Sequence, residues 1–191
     1  MKTLSCLTTA IIILCVSACR NAHVYDKYVK ELDSLKVVVE QAVDNFKTID
    51  SSACVLAYSK QLTYTDFINK NLKDTVSIVT ANNIQSFYKT GKGLKSYLQM
   101  RQQWLSKADQ SIKQLNNLSH DLKSGSVNEE EAIEYISNEK RTAEKIIEEL
   151  KLNTETIRTY LEIYNTALPI TEDVVRRLNN GSLPQLVKPE L

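Results

Sequence analysis

Apolar residues recur at alternating steps of three and four along most of this chain, a spacing that a helix turns into one continuous face. Near the start they fall at Tyr25, Tyr28, Leu32, Leu35, Val39, Ala42, Phe46 and Ile49. Lys27, Lys30, Glu31, Asp33, Lys36, Glu40 and Asp44 lie between them as a solvated face. The same spacing returns at Leu94, Tyr97, Arg101, Trp104, Ala108, Ser111, Leu115, Leu118 and Leu122, widened by Leu98, Leu105 and Ile112. It returns again through Ile133, Ile136, Lys140, Ala143, Ile147, Leu150, Thr154, Ile157, Leu161, Tyr164 and Leu168. Isolated helices are marginal in water, so stripes this long must be packed against one another. The expected fold is all-α: an elongated antiparallel bundle of three or four long helices. Arg101, Lys140 and Thr154 interrupt the stripes and read as register-setting residues.

Punctuation agrees with few connections, since the chain has 4 Gly and 3 Pro and these residues dominate turns. Lys123-Ser124-Gly125-Ser126 predicts a tight turn, with Ser126 or Asn128 capping the helix that follows. Glu129, Glu130 and Glu131 then occupy its first turn, where the helix dipole favours negative charge. Pro169 is expected to kink or interrupt that last helix, although Val175 and Leu178 keep its register. Asn179-Asn180-Gly181 should end it.

The middle of the chain, 51–90, is less regular. Ser51 or Ser52 is placed to cap a helix running through Val55, Leu56, Leu62, Phe67, Ile68 and Leu72. Thr75 to Thr80 is rich in β-branched residues, but a lone strand would have no partner, so helix is expected there too. Lys89-Thr90-Gly91-Lys92-Gly93 predicts a break. It also fails as a phosphate-binding loop, because Ser86 stands where a glycine is needed and Gly93 where a hydroxyl is needed.

The first residues follow a different logic. Lys2 gives a positive start, and 4–16 is mostly apolar. As a helix that stretch would be about 20 Å long, short of the ~30 Å hydrocarbon core and suited to a secretory leader. Val16-Ser17-Ala18-Cys19 follows at once, and this tetrad resembles the lipobox of bacterial lipoproteins. The resemblance implies cleavage before Cys19 and attachment of diacylglycerol to its thiol. It covers the first tenth of the chain and implies nothing about the body. Two other outcomes would fit the leader: cleavage after Ala18 without lipid, and an uncleaved anchor. The expected organisation is a leader over 1–18, a lipidated N-terminus and linker over 19–22, a helical bundle over 23–180 and a tail over 181–191.

Cys6 and Cys15 leave with such a leader and Cys19 is modified, so Cys54 has no partner for an intramolecular disulfide. Its neighbours Ala53, Val55 and Leu56 mark it as a buried small hydrophobe. The full chain carries 24 basic and 23 acidic side chains, a balance without the basic excess of a nucleic-acid face. His23 and His120 lack metal-ligand spacing, and 129–134 lacks the pattern of a calcium loop. No nucleophile elbow or cysteine–histidine pairing is visible. No cofactor, metal or catalytic residue is therefore expected.

Tyr25, Tyr28, Tyr97 and Tyr164 fall on the stripes. Tyr58, Tyr64, Tyr88, Tyr135 and Tyr160 do not, and they form the candidate interaction surface, because tyrosine pairs an apolar ring with a polar tip. The functional expectation is a membrane-tethered, non-catalytic helical lipoprotein of the bacterial cell envelope. It would act by protein–protein contact as a spacer, assembly factor or surface adhesin. The alternative is a small-molecule pocket between helices.

Overall fold

A computed structural model describes residues 25–190, which fold into four α-helices with no strand among them. They are α1 (Asp26–Lys47), α2 (Ser51–Asn71), α3 (Ile78–Ser124) and α4 (Glu129–Leu178). The all-α bundle expected from the stripes is therefore what the chain forms. Contacts divide it into two compact units, one holding the chain up to Val43 with Leu105–Glu149, the other Asp44–Trp104 with Leu150–Leu191.

The first unit packs three helical segments. Leu32 and Val39 of α1, Ala108, Leu115 and Leu122 of α3, and Ile136 and Ala143 of α4 are all buried. Lys107 of α3 pairs with Glu149 of α4 at 3.5 Å, as expected of two antiparallel segments joined at their far ends. That join is a Schellman turn: Ser126 N donates to Asp121 O (3.0 Å) and Gly125 N to Leu122 O (3.3 Å). Gly125 sits at φ 68°, the left-handed conformation this motif requires. Asn128 caps α4, its Oδ1 accepting from Glu131 N at 3.0 Å. From α1, Glu31 accepts from Lys140 of α4, and Asp33 accepts from Ser119 of α3 at 2.9 Å. Lys140 thus ties two helices together in register. Ile133 is a correction, since it is 56 % exposed and Ala132 is buried in its place. The buried line enters through the residue four before Ile136 rather than three before it.

The second unit contains the end of α1, all of α2, the first part of α3 and the rest of α4. α1 stops at Lys47, and Asp50 then caps α2. Its carboxylate accepts from Ser52 N (2.8 Å) and Ala53 N (3.2 Å). The expected Ser51 or Ser52 cap is thus displaced by an aspartate, whose charge also suits the positive end of the helix. Residues 72–77 form a connection, and Ser77 caps α3 through Thr80 N at 3.2 Å. Helix therefore begins only at Ile78 within the β-branched stretch.

The break expected at Gly91 and Gly93 does not occur. α3 runs unbroken through Gly91 and Gly93, whose missing side chains make room for neighbours. A Cβ on Gly91 would lie 2.4 Å from the Gln61 side chain, and one on Gly93 would lie 2.2 Å from the Tyr160 ring. Gly93→Ala should therefore cost about 1–3 kcal/mol, as overpacking does, measured by urea unfolding. An unchanged midpoint would show that Tyr160 does not rest there. α4 likewise continues through Pro169. Asn165, whose carbonyl loses its donor, and Pro169 itself are both exposed, so water can take that carbonyl. Ala167, Thr171, Val174 and Val175 are buried around it and hold the helix in place.

α4 ends as expected, with Gly181 N donating to Arg176 O at 2.8 Å and Asn180 at φ 50°. The tail then returns to α2, where Val187 N donates to Thr63 Oγ1 at 3.0 Å.

Candidate functional site

The five off-stripe tyrosines do not form one surface. Tyr58 and Tyr64 are core residues, 5 % and 1 % exposed. Tyr64 stacks on Phe87 (centroids 6.2 Å apart), and Phe87 stacks on Tyr164 (5.4 Å). The Tyr64 hydroxyl donates to Glu172 Oε1 at 3.0 Å, and Lys60 Nζ donates to the same oxygen at 2.9 Å. Burial, with Glu172 beside it, pushes the Tyr64 hydroxyl far above the ordinary tyrosine range, and Tyr164 follows for the same reasons. This polar cluster joins α2 to α4, and its members are occupied with one another. Tyr88 and Tyr160 are half-buried, and Tyr135, in the first unit, is 45 % exposed.

Cys54 is fully buried. Burial, then the nearby Asp50, pushes its thiol up to about 11, which leaves it protonated and inert. His120 is exposed. Cys19, the expected lipid site, lies outside the described residues, as do Cys6, Cys15 and His23. Among the described residues no group of three or more metal-type ligands occurs, and no helix is long and apolar enough to cross a membrane.

The described residues also form concavities, among them one of about 410 Å³ where the tail meets α2, lined by Leu62, Phe67 and Val187, and three of greater consequence. The first unit has a wide groove of about 600 Å³ lined by Lys107, Arg141, Lys145 and Glu149 with Gln110 and Gln114. Its charges are partly answered within it, by the Lys107–Glu149 pair. In the second unit an apolar groove of about 420 Å³ lies between α2 and α3. Ile68, Leu72, Val76, Ala81 and Ile84 line it, with Tyr88 beside them. The Tyr88 hydroxyl donates to Asn69 Oδ1 at 3.2 Å. At the start of α3, Ile78 and Val79 stand 80 % and 67 % exposed.

The third concavity is a cavity of about 220 Å³ between α3 and α4. Tyr97, Trp104 and Tyr160 give it aromatic walls, and Ser96, Asn153 and Thr156 add polar groups. Tyr97 is held by Arg101 Nε, which donates to its hydroxyl at 3.2 Å. Phe46 packs edge-on against Trp104 at 5.8 Å. Arg101, an interruption in the stripe, thus braces a cavity wall.

Sequence reasoning placed Tyr97 and Trp104 on a stripe but gave them no role beyond packing. Gly93 was the available signal for this cavity, because a glycine inside a helical pattern marks close approach as readily as a turn.

Two buried side-chain oxygens in the first unit, Ser111 Oγ and Glu139 Oε2, are left unanswered. Glu139 Oε2 has no hydrogen-bond partner, and burial raises its pKa above the ordinary carboxylate range. A raised carboxyl costs stability where it is ionised, at pH above its folded value, and the cost fades as pH falls to the ordinary range. Glu139→Gln should accordingly stabilise the protein at pH 7. The gain should vanish toward pH 4, as followed by thermal melts across pH. A gain that is the same at both pH values would contradict the ionisation argument.

No family model, curated protein or solved structure matches this chain. The fold and its concavities thus define a class, an all-α bundle with an apolar groove and an aromatic cavity in its second unit.

Proposed function

We propose that this protein is a lipid-tethered, non-catalytic component of a bacterial cell envelope that works by protein contact. The tether is Cys19, supported by the charged start, the short apolar run and the Val16-Ser17-Ala18-Cys19 tetrad. The contact surface is the α2–α3 groove, where an amphipathic helix of a partner lays its apolar face. The observation that carries this reading is the apolar lining of that groove by Ile68, Leu72, Val76, Ala81 and Ile84, with Ile78 and Val79, which lie between Val76 and Ala81 in the chain, left 80 % and 67 % exposed. Spacer, assembly factor and adhesin are all roles in which such a contact is held at a fixed membrane.

A photo-crosslinking residue at position 78, in the tethered protein in its native cells, should give one adduct of defined mass. Val79→Lys should abolish that adduct and shift stability by less than about 0.5 kcal/mol, since the site is exposed. A yield no higher than from a crosslinker at the exposed Glu155 would overturn the assignment.

The aromatic cavity favours a second reading, in which the bundle holds a small molecule between α3 and α4.

A further inference from the structure

We infer that the cavity at Trp104 binds a single-ring carboxylate, a monoanion with one flat face. This rests on the second reading above and names its ligand class. Size sets the first limit, because about 220 Å³ lies below the roughly 300–1,000 Å³ of pockets for drug-sized ligands and admits one ring. Shape sets the second. Trp104 and Tyr160 line it with aromatic rings, against which a flat ring packs edge-on or offset. Both walls are fixed in advance, Trp104 by Phe46 at 5.8 Å and Tyr160 by its seat on Gly93. A preformed wall lowers the ordering cost of binding.

Polarity decides the rest. Lys92, Ser96 and Thr156 bring donors, and no carboxylate lines the cavity. An ammonium has three donors and no acceptor, whereas the hydroxyls can do either, so a ligand that engages Lys92 must meet it with an acceptor. Lys92 is the one ionised side chain in the lining, and it forms no ion pair with a described residue. One unanswered positive charge matches one negative charge. An aryl carboxylate and a uronic acid share this chemistry, and they are separated by experiment.

The protein supplies its own reporter, since Trp104 is its sole tryptophan. The full-length protein is titrated with benzoate and with D-glucuronate, and Trp104 emission is followed against free N-acetyltryptophanamide. The neutral counterparts benzyl alcohol and methyl D-glucoside are run alongside. One acid should give a saturable change, with its neutral counterpart at least tenfold weaker. Lys92→Gln should weaken that acid at least tenfold, leave the neutral compound unaffected and keep the wild-type circular dichroism, because Lys92 is exposed. Saturation by benzoate selects the aryl acid, and saturation by glucuronate the sugar acid. Equal binding of acid and neutral compound, or an unaltered affinity in Lys92→Gln, overturns the carboxylate while leaving a small-molecule site. No saturation by any of the four overturns both.

Discussion

Leu150→Asp should unfold the protein or lower its melting temperature by more than about 10 °C. Leu150 is 1 % exposed, so the substitution removes a buried side chain worth about 2–5 kcal/mol. It also leaves a carboxyl without a partner in an apolar setting, a further cost of several kcal/mol. A domain holds only about 5–15 kcal/mol in total. The control lies two residues away, since Leu152 is 65 % exposed. Leu152→Asp should change stability by less than about 0.5 kcal/mol. Thermal melts by circular dichroism decide the matter. Equal losses in the two variants would show that the buried face of α4 is misplaced.

Cys19→Ser has the largest expected effect on where the protein resides. Each buried methylene contributes about 0.8 kcal/mol to membrane attachment, and stable anchoring takes at least two chains. A serine offers no thiol for thioether formation, so this variant should move from the membrane pellet to the soluble fraction. The helical body should fold as before, because the described core begins at Tyr25. Retention of Cys19→Ser in the pellet after a carbonate wash would argue against lipidation.

Much of the bundle was legible because its stripes follow a helical period without tertiary help. Leu94, Tyr97, Ala108, Ser111, Leu115, Leu118 and Leu122 were all read as one seam, and all are buried. The α2 stripe was harder for a physical reason, since Ser59, Gln61 and Thr63 are buried polar residues. They are satisfied by bonds such as Thr63 Oγ1 to Ser59 O (2.8 Å) and Gln61 Nε2 to Tyr88 O (3.3 Å). Hydrophobic spacing cannot register a face whose members are polar and hydrogen-bonded. Tyr58 and Tyr64 were assigned to the surface for the same reason.

Gly91 and Gly93 were misread as a break because their function depends on Gln61 and Tyr160, which are distant in sequence. A glycine's local freedom is visible in a sequence, whereas the neighbour it admits is not. The apolar groove was hidden similarly, since Ile78 and Val79 read as ordinary members of a β-branched helix until their exposure was known.

The most direct test of a lipid-tethered bundle is the mass of the N-terminal peptide of the protein purified from its native membrane. It should begin at Cys19 and carry the added mass of acyl chains. A peptide that begins at any other residue, with no acyl mass, would contradict the tether and leave only the helical bundle standing.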